Sequence, residues 1–348
     1  MKKSEYSLHK ILVIRTDRIG DVVLSLPVVV SLRKRYADAR IFMLVQPEVR
    51  DILDNHQDLD GVILDNDNHR LSGFFRLAAS LRRERFDAAV LLHPTLRLAA
   101  AMFMARIPIR IGTGYRLYSF LLNRRVFEHR KHSIRHEAEY NLSLAAALQG
   151  KIKPVQFHLP VSKKAGEKIL KMIRESGITK NYVVIHPGSR GSALDWPAER
   201  FFQLGELISK HLKYPVIVTG SKGEQEALKV LVRKYESSVI SFVGALTLKE
   251  LVALLASAGL VIASSTGPLH LAAAAGTTVL GFYPPFRAAN VRRWGPFGQT
   301  ENVLVPPVSD CARCKGSKCE HWNCMSMIQV EEAYRIVQKQ LAVGNKDV

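Results

Sequence analysis

Acidic residues are scarce in this chain: 31 Asp and Glu stand against 50 Lys and Arg in 348 residues, a formal charge of +19. That surplus predicts an anionic partner, whether nucleic acid, a membrane surface or a phosphorylated substrate. Long hydrophobic runs are missing too. Leu251 to Phe286 carries no charged residue, but Ser264-Ser265-Thr266-Gly267-Pro268 divides it into pieces too short to cross a bilayer. The opening MKKSEYSLHK lacks an apolar core, so no signal peptide and a cytoplasmic location are expected. Cysteine is confined to Cys311, Cys314, Cys319 and Cys324, with His321 among them. A zinc ribbon needs two close pairs and only one exists, so reduced thiols and no metal are the expectation. No tandem repeat or low-complexity tract is present.

What is present is a βα rhythm. Apolar, β-branched runs at Ile11–Ile14, Ile41–Val45 and Ala88–Leu92 alternate with helical patterns, and a second set follows at Tyr182–Ile185, Pro215–Thr219, Val239–Val243, Leu260–Ala263 and Thr278–Phe282. Such alternation predicts parallel sheets with helices on both faces, twice over. The polar, Pro-containing stretch between Gly150 and Lys180 separates the sets, and an amphipathic helix over about 329–342 closes the chain. The expected organisation is 1–160 for a first domain, 175–325 for a second and 326–348 for the terminal helix.

In open parallel sheets ligands bind beyond the carboxyl ends of the strands, where helix N-termini present unpaired N–H groups. Four such turns stand out. In RTDRIGDVV, Asp21 follows Gly20 where a helix begins; it is either an N-cap or a general base kept ionised by Arg15 and Arg18, with Asp17 a competitor. In HPGSRGSALDWPAERF, Gly188 permits close backbone approach, His186, Ser189 and Arg190 offer donors to an anion, and Pro197 suits a first helical turn. Thr219-Gly220-Ser221 lacks P-loop spacing, and the nearby Glu224 is either a ribose ligand or a first-turn glutamate favoured by the helix dipole. The turn Ser265-Thr266-Gly267-Pro268 opens an alanine-rich helix suited to a diphosphate, and His270 on its first turn either donates to phosphate or is a half-buried, hydrogen-bonded histidine. Upstream, Thr247-x-x-Glu250 reads as a capping box.

Taken in order, RTDRIGDVVLSLP, HPGSRGSALDWPAERF, TGSKGE, FVGALTLKELVALLASAGLVIASSTGPLHLAAAAGT and the cysteine-bearing end resemble glycosyltransferase family 9, the ADP-heptose:lipopolysaccharide heptosyltransferases. The resemblance implies a GT-B fold of two Rossmann-like domains facing across a cleft, the terminal helix crossing back to the first. It implies inverting transfer of a heptose from ADP-heptose to the lipopolysaccharide inner core, with no cofactor. By the same likeness Asp21 is the base, Arg15, Arg18 and Gly20 lie on the acceptor side, and the turns containing His186 to Arg190, Thr219 to Glu224 and Ser265 to His270 hold the donor. Family members carry lysine two residues before the Trp-Pro pair and aspartate before Thr-Gly; this chain has Leu194 and Ser265 there, which keeps open a different sugar nucleotide or a non-catalytic binder.

Between Arg106 and His136 run eight Arg or Lys and one carboxylate, Glu128. A charge run is ordinarily a solvated face. In the expected acceptor domain it suits lipid A phosphates and the inner membrane surface, so a peripherally associated cytoplasmic protein is expected. No nucleic-acid module or aromatic stacking motif accompanies it, and no nucleic-acid partner is expected.

Overall fold

The computed structural model describes residues 8–66, 70–150, 152, 155, 157–189, 191, 194–308 and 311–344. The chain forms two compact units, residues 1–130 with 137–157, and residues 131–136 with 158–348.

The first unit is built on a six-stranded parallel sheet: β1 (Lys10–Ile14), β2 (Arg40–Val45), β3 (Gly61–Leu64), β4 (Ala88–Leu91), β5 (Ile109–Thr113) and β6 (Arg124–Val126), in the order β3-β2-β1-β4-β5-β6. The second unit repeats the plan with β7 (Val183–His186), β8 (Val216–Val218), β9 (Ile240–Ser241), β10 (Leu260–Ser264), β11 (Val279–Phe282) and β12 (Val303–Leu304), in the order β12-β11-β10-β7-β8-β9. Counted within its own unit, each sheet has the order 3-2-1-4-5-6 of a Rossmann fold. This two-sheet α/β architecture is the GT-B class. Central strands β1, β4, β7 and β10 are buried almost throughout, because helices cover both faces, and their sequences are correspondingly apolar without alternation.

Strand order reverses between β1 and β4 in one sheet and between β7 and β10 in the other. At such switch points the loops leaving adjacent strands diverge to opposite faces and open a crevice at the carboxyl edge. The turns singled out in the sequence are the loops after β1, β7, β8 and β10.

In the second unit the core anchors these loops from below. Trp196 is fully buried, stacks on Phe282 at 4.1 Å and meets Phe201 edge-on at 4.9 Å. Its indole N–H donates to the Ile328 carbonyl at 3.0 Å, which Arg200 also reaches, so the loop after β7 is pinned to the segment ahead of the last helix, Val330–Gly344. That helix buries Ala333, Val337 and Leu341 in the second unit's core. Pro197 precedes the helix Ala198–Leu207 as its cap residue and is not within its first turn. The capping box Thr247–Glu250 forms, with Thr247 N–H to Glu250 at 2.8 Å and Lys168 adding an ion pair at 2.7 Å.

Candidate active site residues in each unit

In the first unit, β1 delivers Arg15 to the carboxyl edge of the sheet. Gln46, following β2, donates to the Thr16 carbonyl at 2.8 Å, and His93, following β4, pairs its Nδ1 with Thr16 Oγ1 at 3.2 Å. The loop after β1 is thus tied to both neighbours. Asp21 is the third residue of the short helix Ile19–Val23 and does not cap it; the cap position is Arg18, whose side chain makes no capping bond. Arg18 is exposed and forms no salt bridge among the described residues, so the expected pair of arginines beside Asp21 reduces to one.

That one is central. The buried Arg15 guanidinium bonds Asp17 through Nε at 2.7 Å, Glu137 at 3.1 Å, Asn141 at 3.3 Å and Asp21 Oδ1. Glu137, itself buried, takes a second cation, Arg130, at 2.7 Å, and Asn141 donates to the Leu24 carbonyl at 3.2 Å. Burial alone would depress the Arg15 guanidinium, but Asp17, Asp21 and Glu137 around it hold it fully charged. Burial pushes the Asp21 carboxyl up; Arg15 pulls it back, Asp17 and Glu137 push it up again, and it settles at about 6 against an ordinary 3.8. Asp21 is therefore ion-paired, yet it competes with two other carboxylates for one guanidinium, and its Oδ2 has no hydrogen bond among the described residues. A carboxylate poised near neutrality with one oxygen available is suited to accepting a proton from a bound hydroxyl.

In the second unit, His186 ends β7 and its Nδ1 meets Thr219 Oγ1 at 2.9 Å, joining the loops after β7 and β8. Gly188 lies against Glu224: a Cβ there would come within 1.8 Å of a carboxylate oxygen, so any side chain at 188 would displace that carboxylate. The other Glu224 oxygen accepts from the Ser221 N–H at 2.8 Å and hydroxyl at 2.6 Å, the capping box of the turn that follows. Ser189 donates to Asp195 at 2.7 Å, and burial pushes the Asp195 carboxyl up against the pull of Ser189 and Ser264. Arg190 lies outside the described residues. Leu194 is half-buried and packs on the second unit's core, so it presents no cation at that position.

Beyond β10, Thr266 caps the helix Gly267–Ala274 without a side-chain capping bond, and Pro268 sits in its first turn. Thr266 Oγ1 and His270 Nδ1 are buried with no hydrogen-bond partner among the described residues. Thr266 stands at the cap position and His270 at the end of the first turn of the same helix. The expected half-buried, hydrogen-bonded His270 is instead fully enclosed; burial first, and His136 second, push its pKa down to about 3, so it is neutral. Leaving such atoms unsatisfied costs ~1–3 kcal/mol each. Together with the first-turn amides they form a row of uncompensated polar groups at a helix N-terminus, an environment that accepts an anion.

The four cysteines form no disulfide, and no group of three or more His, Cys, Asp or Glu among the described residues is arranged to hold a metal. Their segment, with Leu194 and Asp195, lines a cavity of about 150 Å³. No helix among the described residues is long and apolar enough to cross a membrane.

Sequence reasoning missed His93, Asp195, Glu137 and Asn141. His93 and Asp195 follow strands in switch-point loops, and that placement was the available signal; Glu137 and Asn141 reach Arg15 from more than a hundred residues away, with no local pattern to mark them.

Residues 74–334 match glycosyltransferase family 9, described as heptosyltransferase. The chain belongs to glycosyltransferase family 9. It is accordingly a glycosyltransferase. Lipopolysaccharide heptosyltransferase 3 of Escherichia coli is 24% identical over 84% of this chain and 84% of its own length. A family 9 glycosyl transferase from Veillonella parvula has the same fold, with a TM-score of 0.82 at 20% identity over 96% of this chain and 97% of its own. The E. coli ADP-heptose lps heptosyltransferase II follows with a TM-score of 0.78 at 20% identity over 97% and 100%.

Proposed function

We propose that this family 9 glycosyltransferase moves a heptose from ADP-heptose to an inner-core hydroxyl of lipopolysaccharide, with Asp21 as general base. Family membership supports the reaction class, and the chain's likeness to lipopolysaccharide heptosyltransferases supports the sugar. The observation that carries the assignment of the base is the Asp21 carboxyl at the carboxyl end of β1, lifted to about 6 by burial and neighbouring acids. Ionised Asp21 takes the proton of the acceptor hydroxyl as that oxygen attacks the anomeric carbon, and the ADP leaves on the opposite side. Thr266 and the amides opening the Gly267–Ala274 helix receive the diphosphate charge, and Glu224, held against Gly188, accepts from ribose hydroxyls. The reaction as proposed uses no cofactor, the sugar nucleotide being a substrate, and runs at the cytoplasmic face of the inner membrane, where the acceptor's lipid is anchored.

Leu194 favours a second reading: with an apolar side chain where relatives carry lysine, the donor is a sugar nucleotide other than ADP-heptose. Incubating the protein with ADP-heptose and inner-core acceptor and measuring ADP release decides between the two. Release at enzymatic rates supports the first; no release, with stabilisation by UDP or GDP and none by ADP in a thermal-shift comparison, supports the second.

A further inference from the structure

The first unit carries a surface that the proposed reaction does not use. Between β5 and β6 the chain makes a 3₁₀ turn, Leu117–Leu121. With three residues per turn, side chains at i and i+3 lie on one side. Ser119 and Leu122 face inward: Ser119 Oγ donates to the Thr113 carbonyl at 2.7 Å, and Leu122 is buried. Tyr118 donates its hydroxyl to the Pro94 carbonyl and adds a third anchor. Leu117 and Phe120 occupy the opposite side and stand in solvent, 100% and 72% exposed. A turn held this firmly does not hide them by collapsing.

Isolated exposed apolar residues need no explanation. Here, however, the pair is accompanied by Phe127, 61% exposed, which packs edge-on against Tyr115 at 5.5 Å. Arg106, Arg116 and Arg125 are exposed and form no salt bridge among the described residues. Arg110 and Arg124 are spent instead on backbone carbonyls of Leu121 and Ala147, at 2.8 and 3.1 Å. Large exposed apolar tips in one stretch of chain with exposed, uncompensated arginines are the complement of an anionic lipid surface, where the tips enter the acyl boundary and the cations meet headgroup phosphates.

We propose that the Leu117–Leu121 turn, with Arg116 and Arg125 beside it, is the surface by which this chain docks on an anionic bilayer. The proposal rests on the reading of a lipid-linked acceptor for its setting and supplies the contact that brings the enzyme to it. Each cation near such a surface adds about fivefold to binding, and each buried apolar tip adds roughly tenfold or more.

The test is flotation of the full chain with vesicles of phosphatidylethanolamine and phosphatidylglycerol, against vesicles of phosphatidylcholine alone. Wild-type protein is expected to float with the anionic vesicles only, and less at raised salt. Leu117→Glu/Phe120→Glu is expected to weaken flotation at least tenfold with an unchanged thermal midpoint. Arg116→Gln/Arg125→Gln, which spares the turn, is expected to weaken it as well. Turnover on an acceptor stripped of its lipid should stay at the wild-type level in both, which separates this proposal from the reaction itself. Equal flotation of wild type and either variant overturns the proposal, as does absence of wild-type flotation, whether or not the surface then pairs two copies of the chain or retains nucleic acid.

Discussion

Asp21 sets the sharpest prediction, because its surroundings fix both a rate and a stability with opposite signs. Its folded pKa lies at about 6, above the ordinary 3.8. The protonated form is therefore the one that the fold favours, and the group's contribution to stability is complete below 3.8 and lost as pH rises through about 6. At 1.36 kcal/mol per pH unit, the interval amounts to about 3 kcal/mol at most. Replacing Asp21 by Asn keeps the shape, removes the charge and leaves Arg15 with Asp17 and Glu137. At pH 7.5 Asp21→Asn should melt no lower than wild type, and its advantage should shrink as pH falls from 6 toward 4. Transfer behaves the other way. The wild-type rate should fall about tenfold per unit below pH 6, where the base becomes protonated, and the variant should lose 10²- to 10⁴-fold at every pH while still binding ADP. The assay is ADP release from about pH 3.5 to 8, beside thermal melts in the same buffers. A wild-type acid limb near pH 4, or a variant within tenfold of wild type, would refute the reasoning; loss of ADP binding in the variant would move Asp21 from base to binding group.

Gly188→Ala should drive Glu224 from its place, since the added carbon would meet the carboxylate within 1.8 Å; ADP affinity by calorimetry is expected to fall at least tenfold with the fold intact. Leu194→Lys should restore a cation beside the phosphates and tighten ADP-heptose by roughly 1.5–3 kcal/mol, ten- to a hundredfold; an unchanged Kd would remove that position from the donor site.

Apart from the two-residue β9, found within Val239–Val243 although Ile240 and Ser241 are only partly buried and exposed, the strands that sequence periodicity located are those buried on both faces. β1, β2, β4, β7, β8, β10 and β11 each read as a short apolar run because helices cover them. β3, β5 and β6 escaped because they are partly exposed, and Arg124-Arg125-Val126 in β6 carries no strand pattern at all. β12 is two residues long and is defined by its partner β11. Local chemistry in the site was readable where it depends on neighbours in sequence, as for Gly188, Ser221 with Glu224, and Thr247 with Glu250. It was not readable where a distant helix supplies the partner. Nothing near Arg15 announces Glu137 or Asn141, yet they decide how much of the Arg15 charge remains for Asp21.

The two units use one strand order to opposite electrostatic ends. At the first switch point, charges are crowded and mutually engaged: Arg15 and Arg130 face Asp17, Asp21 and Glu137, two cations against three acids. Such a set is balanced when one acid holds a proton, and burial lifts Asp21, which has Arg15 alone where the more buried Glu137 has both arginines, toward holding it, as the proposed base must after it has acted. At the second switch point the central groups are neutral: a histidine that burial holds uncharged and a threonine hydroxyl without a partner, both at a helix N-terminus. There Asp195 and Glu224 are engaged by Ser189 and Ser221, while Thr266 Oγ1 and His270 Nδ1 have no partner among the described residues, which leaves the small positive charge of the helix end for an anion. On the proposed reading a proton acceptor needs a crowded, finely balanced cluster, whereas an anion site needs polar groups with nothing else to bind, and the same Rossmann edge provides each because the loops, joined in the first unit by the helix Glu137–Gln149, set which charges lie there.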